Sequence, residues 1–276
     1  MLAEFLDIMM NKVISAIAWI FLSVLFCSCE KVINVNLDTA PNQIVVEGNI
    51  TDKNEIQTVK ITQSVPYTDQ NVYPAVKGAL VTVTDNVGNS WSFKEIEPGI
   101  YTVGPFKGIT GRTYMLNVSV NNKVYTARSV MPRHVKMDSL SLKIITFEAK
   151  DYKQIQVHYK DPREEENQYR WIMKINNVQT RRIFVTNDRF TNGNRVSEVL
   201  YYTKEDNEPL VKGHKVWVEA QSIDKNIFTY WFTLSQQIMK GPGGGVTPGN
   251  PPSNISNNAL GYFSAHTTEA LLYEVR

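Results

Sequence analysis

Two cysteines, Cys27 and Cys29, sit at the end of an uncharged apolar run, and the chain has no others. A thiol in that setting can accept diacylglycerol, after which a signal peptidase cuts just before the modified residue. The processing wants an apolar residue three positions upstream and a small one directly upstream. Cys29 has Phe26 and Ser28 at those places, whereas Cys27 has the bulky Phe26 directly before it. Cys29 is therefore the expected lipidation site, with Phe26 standing where leucine is more usual.

The preceding residues fit that chemistry. Residues 13–26 (VISAIAWIFLSVLF) are apolar and follow Asn11 and Lys12, the layout of a cationic n-region and an apolar h-region. The run is short for a membrane span, which needs about 20 apolar residues. Glu4 and Asp7 oppose a cationic start, a conflict that disappears if translation begins at Met9 or Met10. An uncleaved signal anchor is the competing reading. Cleavage would leave residues 1–28 as signal peptide and residues 29–42 as a polar tether.

Other chemistry is sparse. His134, His158, His214 and His266 are scattered without H-E-x-x-H or H-x-H spacing, so each reads as a structural histidine. No G-x-S-x-G elbow or phosphate-binding P-loop is present. The glycines at 243–245 lack a flanking strand and helix start, and read as a loop. Glu164, Glu165 and Glu166 are consecutive, so they cannot all converge on one calcium ion and read as a solvated turn. No catalytic residue, cofactor site or metal site is expected. Trp91, Trp171 and Trp217 lie in strand-like segments and are expected in the core. Tyr201, Tyr202, Tyr262 and Phe263 are left as candidate ligand or partner contacts.

Composition narrows the classes further. Lys and Arg number 29 against 27 Asp and Glu, a formal net charge of +2. That near-neutral balance lacks the basic excess of a nucleic-acid binder. A body without cysteine beyond position 29 has no disulfide and no cysteine-rich zinc site. A chain this long can be stabilised by its core alone.

The elements that must position any site are mostly strands. Residues 43–50 (QIVVEGNI) and 56–63 (IQTVKITQ) flank a loop at 51–54, and Ala79, Val81 and Val83 alternate onto one face. Residues 85–89 (DNVGN) form a turn, and Tyr114, Leu116, Val118 and Val120 alternate up to Asn121 and Asn122, a hairpin-turn pair. These signals predict an immunoglobulin-like or prealbumin-like antiparallel β-sandwich over residues 43–132. A second β-rich domain is expected over 133–276, with one amphipathic helix near 226–239 capped by Asp224. A final strand at 259–265 should return to the sheet.

Several segments carry a family resemblance. CEKVINVNLD from Cys29, IVVEGNITD from Ile44, DPREEENQYRW from Asp161, SIDKNIFTYWFTL from Ser222 and NPPSNISNNALGYFSA from Asn250 together resemble the lipoproteins of domain-of-unknown-function family 4249. The last differs in having Asn257 and Asn258 where glycines are usual, and Asn tolerates the left-handed conformation. The resemblance implies an outer-membrane lipoprotein of Bacteroidetes-type bacteria, working beside a TonB-dependent β-barrel receptor in uptake or surface assembly. It carries over no catalytic residue. A stand-alone surface carbohydrate-binding protein and a hydrolase with an unrecognised site are the other classes. Glu30 is the one acid directly after Cys29, so the face of the membrane stays open.

Overall fold

The computed structural model describes residues 10, 42–66, 72–204, 206–238 and 249–276. Cys29, the apolar run before it, nearly all of the tether and the glycine-rich loop at 241–248 lie outside the described residues. From Pro41 onward the chain is a single unit. Among the described residues, no helix is long and apolar enough to cross a membrane.

The first seven strands form the expected sandwich. They are β1 (Ile44–Thr51), β2 (Glu55–Gln63), β3 (Leu80–Asp85), β4 (Ser90–Glu97), β5 (Ile100–Phe106), β6 (Thr113–Val120) and β7 (Lys123–Val130). They pair in the order β1-β2-β5-β4-β3-β6-β7. Because β4 bonds both β5 and β3, the sheet folds over on itself. Alternation then turns Val46, Ile50, Val59, Ile61 and Tyr101 inward against Val81, Val83, Tyr114, Leu116 and Val118. Asn121 and Asn122 take φ of 51° and 57°, the left-handed pair that a tight hairpin between twisted strands requires.

The second half builds another core. β8 (Met137–Phe147), β9 (Lys150–Lys160) and β13 (Arg195–Leu200) form a three-stranded sheet in the order β13-β9-β8. β10 (Gln168–Ile175), short β11 (Val178–Gln179), β12 (Phe184–Asn187) and β14 (Lys215–Ile223) join the large sheet instead. Ile155, Val157 and Tyr159 pack with Tyr169, Trp171, Met173, Val216 and Val218.

The last strand unites the halves. β15 (Leu260–Glu274) pairs in parallel with β1, from Val45↔Leu260 to Thr51↔His266, and antiparallel with β14, from Ser222↔Thr267 to Lys215↔Glu274. It runs well past the expected end at residue 265. The sequence signal fades there because Thr267, Thr268 and Glu269 interrupt the apolar run, although the first two are buried. The expected division after Pro132 is accordingly not a clean one. Ile255, Ala259, Phe263 and Ala265 belong to the first core. Gly261 has φ of 89°, and a Cβ there would collide with the Val46 carbonyl, so only glycine fits at this strand contact.

Polar side chains fasten β15 from the side. Asn254 acts as a surrogate strand: its Nδ2 donates to the carbonyls of Phe263 (2.7 Å) and Arg128 (3.1 Å), and its Oδ1 accepts from Phe263 N (2.9 Å). Ile255 forms a bridge with Ala127 on β7. Asn257 and Asn258, at φ of 57° and 55°, make the turn into β15. The Ser129 hydroxyl accepts from Ala265 N at 2.8 Å and itself donates to Asp224 Oδ2.

Asp224 also starts the helix α1 (Lys225–Ile238). Its Oδ1 accepts from Asn226 N (2.9 Å) and Ile227 N (3.1 Å), satisfying orphan donors of the first turn. The helix packs through Ile227, Tyr230 and Trp231 onto Tyr262 and Ile223. Phe232, on the same helix, is exposed.

Replacing Asn254 should be costly, because it orphans the Phe263 amide and carbonyl at about 1–3 kcal/mol each. Asn254→Ala should lower the urea midpoint by the equivalent of at least about 2 kcal/mol in equilibrium unfolding, well beyond a surface Asn→Ala change.

Candidate site: a polar cleft on the open face of the large sheet

One face of β10, β14, β15 and β1 is spent on the two cores. The other follows the opposite alternation. Register places Arg170 beside Gln221, and Gln221 beside Thr268, in one row. Ile172, Glu219 and Ala270 form the next row, and Lys174, Trp217 and Leu272 the one beyond. On the β1 side, Asn49 and Thr51 lie opposite Ser264 and His266. Helix α1 covers one end of this face, and the remainder forms a cleft of about 630 Å³.

Its floor is polar and tightly connected. Arg170 Nη1 donates to Gln221 Oε1 at 3.0 Å, and Gln221 Nε2 donates to Glu219 Oε1 at 2.7 Å. The guanidinium lies over the Trp231 ring, 3.6 Å from its centroid. Trp231 in turn meets Tyr230 and Tyr262, with ring centroids 5.3 and 5.1 Å away. Burial pulls the Arg170 guanidinium below its ordinary range and pushes the Glu219 carboxyl above its own. Burial also raises Tyr262 and carries Tyr230 up to about 12. Asn49 Nδ2 reaches the Tyr262 hydroxyl at 3.5 Å.

His266 lies beneath this surface, 3% exposed. Burial first, and then the nearby Arg170 charge, drives its imidazole down to about 3, against a weaker opposing bond from Ser264. It is a neutral structural residue. Among the described residues, no group of three or more His, Cys, Asp or Glu is placed to hold a metal ion.

The candidate contacts fall in different places. Tyr262 reaches the cleft through a largely buried ring. Phe263, the next residue, points to the opposite face and is fully buried in the first core. A strand covered on both faces puts adjacent aromatics into different layers, so Phe263 is a core residue and no contact. Tyr202 is also buried, its hydroxyl donating to the Glu208 carbonyl at 3.2 Å. Tyr201 is 47% exposed and lies apart from the cleft. Of the tryptophans expected in the core, Trp171 is there, Trp91 is half-buried and stacks on Phe106, and Trp217 lines the cleft.

Arg170, Glu219, Gln221 and Asn49 were not singled out by sequence. One signal was available for Arg170: it alternates with Tyr169 and Trp171, so whichever face takes the aromatics, the cation takes the other.

The fold and cleft define a mainly β protein with a sandwich at its front, a second strand-built core and one capping helix. The chain belongs to the family described as Domain of unknown function (DUF4249), whose model matches residues 30–270. No curated protein matches it. Among solved structures, a two fibronectin type-III domain segment from chicken tenascin is similar at 13% identity, over 85% of this chain and 99% of that one, with a TM-score of 0.24.

The buried histidine gives acid sensitivity with a definite sign. The unfolded imidazole titrates near its ordinary value of about 6.5, and the folded one near 3. Stability from the neutral imidazole is therefore full above about pH 6.5 and is lost as pH falls toward 3, at about 1.4 kcal/mol per unit. Between pH 7.5 and 5, His266→Gln should lose about 2 kcal/mol less unfolding free energy than the parent chain, read from urea curves at each pH.

Proposed function

We propose that this protein is a lipid-anchored accessory protein of the outer membrane, held through Cys29, that works with a TonB-dependent β-barrel receptor in uptake or surface assembly. On this reading it binds and does not catalyse. The observation that carries the reading is the use made of the reactive-looking residues in the family-like segments. Asp161 is fully buried, accepting from Tyr169 Oη at 2.5 Å and Gly193 N at 3.0 Å. Asp224 caps α1 and holds β7, while Asn254 holds β15. Each of these three groups is spent on joining elements, which supports a structural role for Asp161, Asp224 and Asn254.

The anchor supplies the rest of the reading. A single acyl chain gives marginal membrane binding, whereas several chains on one cysteine hold firmly. In the sequence, the tether leads into β1, a strand in the interior of the large sheet. A stand-alone surface carbohydrate-binding protein is the second reading, favoured by the cleft and its Trp217 edge.

Membrane fractionation and affinity capture of the full chain test the proposal. The parent should sediment with outer membranes, begin at a lipid-modified Cys29 by mass spectrometry, and co-purify with a β-barrel receptor. Cys29→Ser should abolish the modification and release the chain. Retention of residues 1–28 on the parent would contradict the anchor, and capture with no barrel would contradict the partnership.

A further inference from the structure

Among the described residues, Arg170 uses little of the hydrogen-bonding capacity of its guanidinium. A guanidinium carries five N–H donors, and its side-chain bond among the described residues is the one to Gln221. It forms no ion pair among the described residues. A half-buried cation without an ion-pair partner is costly, and Glu219 stands two residues from Gln221 on the adjacent strand. The two charges are nevertheless kept apart. Gln221 lies between them, taking Arg170 with its oxygen and Glu219 with its nitrogen. This relay satisfies one arm of the guanidinium and leaves the others for something else.

The cleft around it offers two further kinds of contact. Asn49, Gln221, Glu219 and Thr268 line it with both donors and acceptors, which is what hydroxyl groups need. Trp217 lies four residues from Gln221 along β14, about 13 Å at strand rise. Lys174 Nζ sits over the Trp217 ring, 4.6 Å from the centroid, and the indole still lines the cleft. An anion fork, amide and hydroxyl groups, and a flat apolar surface thus follow one another along the same face.

We propose that this cleft binds a carboxylate-bearing saccharide, with the carboxylate on Arg170 and a sugar ring toward Trp217. Arg presents parallel N–H groups that match the two oxygens of a carboxylate, and an indole edge or face suits the apolar side of a pyranose. An inorganic oxyanion would use Arg170 but not Trp217. A peptide carboxylate would use Arg170 but not the succession of hydroxyl-matching groups. The inference needs only the folded body, and is independent of lipidation and of any receptor.

Isothermal titration of the full chain in non-ionic detergent tests it. The probes are glucuronate, trigalacturonate, the methyl ester of trigalacturonate, N-acetyl-trialanine and inorganic phosphate. At least one uronate should bind, with the ester at least tenfold weaker than its acid. Arg170→Lys should weaken uronate binding at least tenfold and Trp217→Ala at least threefold, while Cys29→Ser leaves it unchanged. Should Arg170→Lys fail to fold, the acid-to-ester ratio on the parent chain decides alone. Absence of uronate binding, equal binding of acid and ester, or binding of phosphate or N-acetyl-trialanine as tight as that of the uronates would overturn the proposal.

Discussion

A strand in the middle of a sheet must satisfy neighbours on both edges and, when both faces are covered, present suitable side chains in both directions. β15 carries all of these demands at once. Its first half lies parallel to β1, its second half antiparallel to β14, and residues 261–268 are buried throughout. Parallel pairing of the first and last strands brings residues more than 200 positions apart into register, a contact whose loop-closure entropy must be offset elsewhere. The offset comes from Phe263 and Ala265 in the first core and from β14 beside the second.

The polar connections follow from that constraint. A buried strand cannot leave amide groups orphaned, and β15 has stretches where a regular ladder does not reach. Asn254 supplies the missing ladder at Phe263, and Ser129 does so at Ala265. Asp224 then couples Ser129 to the start of α1. The helix is held where Trp231 and Tyr230 can cover Tyr262 and the Arg170 guanidinium. The cleft is what remains of the open face once α1 has covered its end. Its geometry is therefore a consequence of how β15 is secured.

Local signals were legible in the sequence where one face of a strand or helix decides the pattern. Val81 and Val83, the Asn121 and Asn122 turn, and the Asp224 cap are all of this kind, and so is the sandwich they build. The central strand was legible only as far as residue 265, because Thr267, Thr268 and Glu269 interrupt its apolar run although both threonines are buried. Its parallel partner was not legible at all, since no local residue records which distant edge a strand will choose. The cleft was hidden for the same reason. Arg170, Gln221 and Asn49 come from three strands, and register alone brings them together. Tyr262 was singled out and does reach the cleft, whereas Phe263 beside it could be assigned to a layer only once both neighbours of β15 were known.

The central claim is that β15 makes the two cores one cooperative body. Hydrogen-exchange mass spectrometry across a urea series, on the full chain, reads it directly. Peptides from β1 and β2, from β15, and from β10 and β14 should lose protection together, at one urea concentration and with one free energy. Two separate transitions, with β15 following one half while the other keeps its protection, would contradict it.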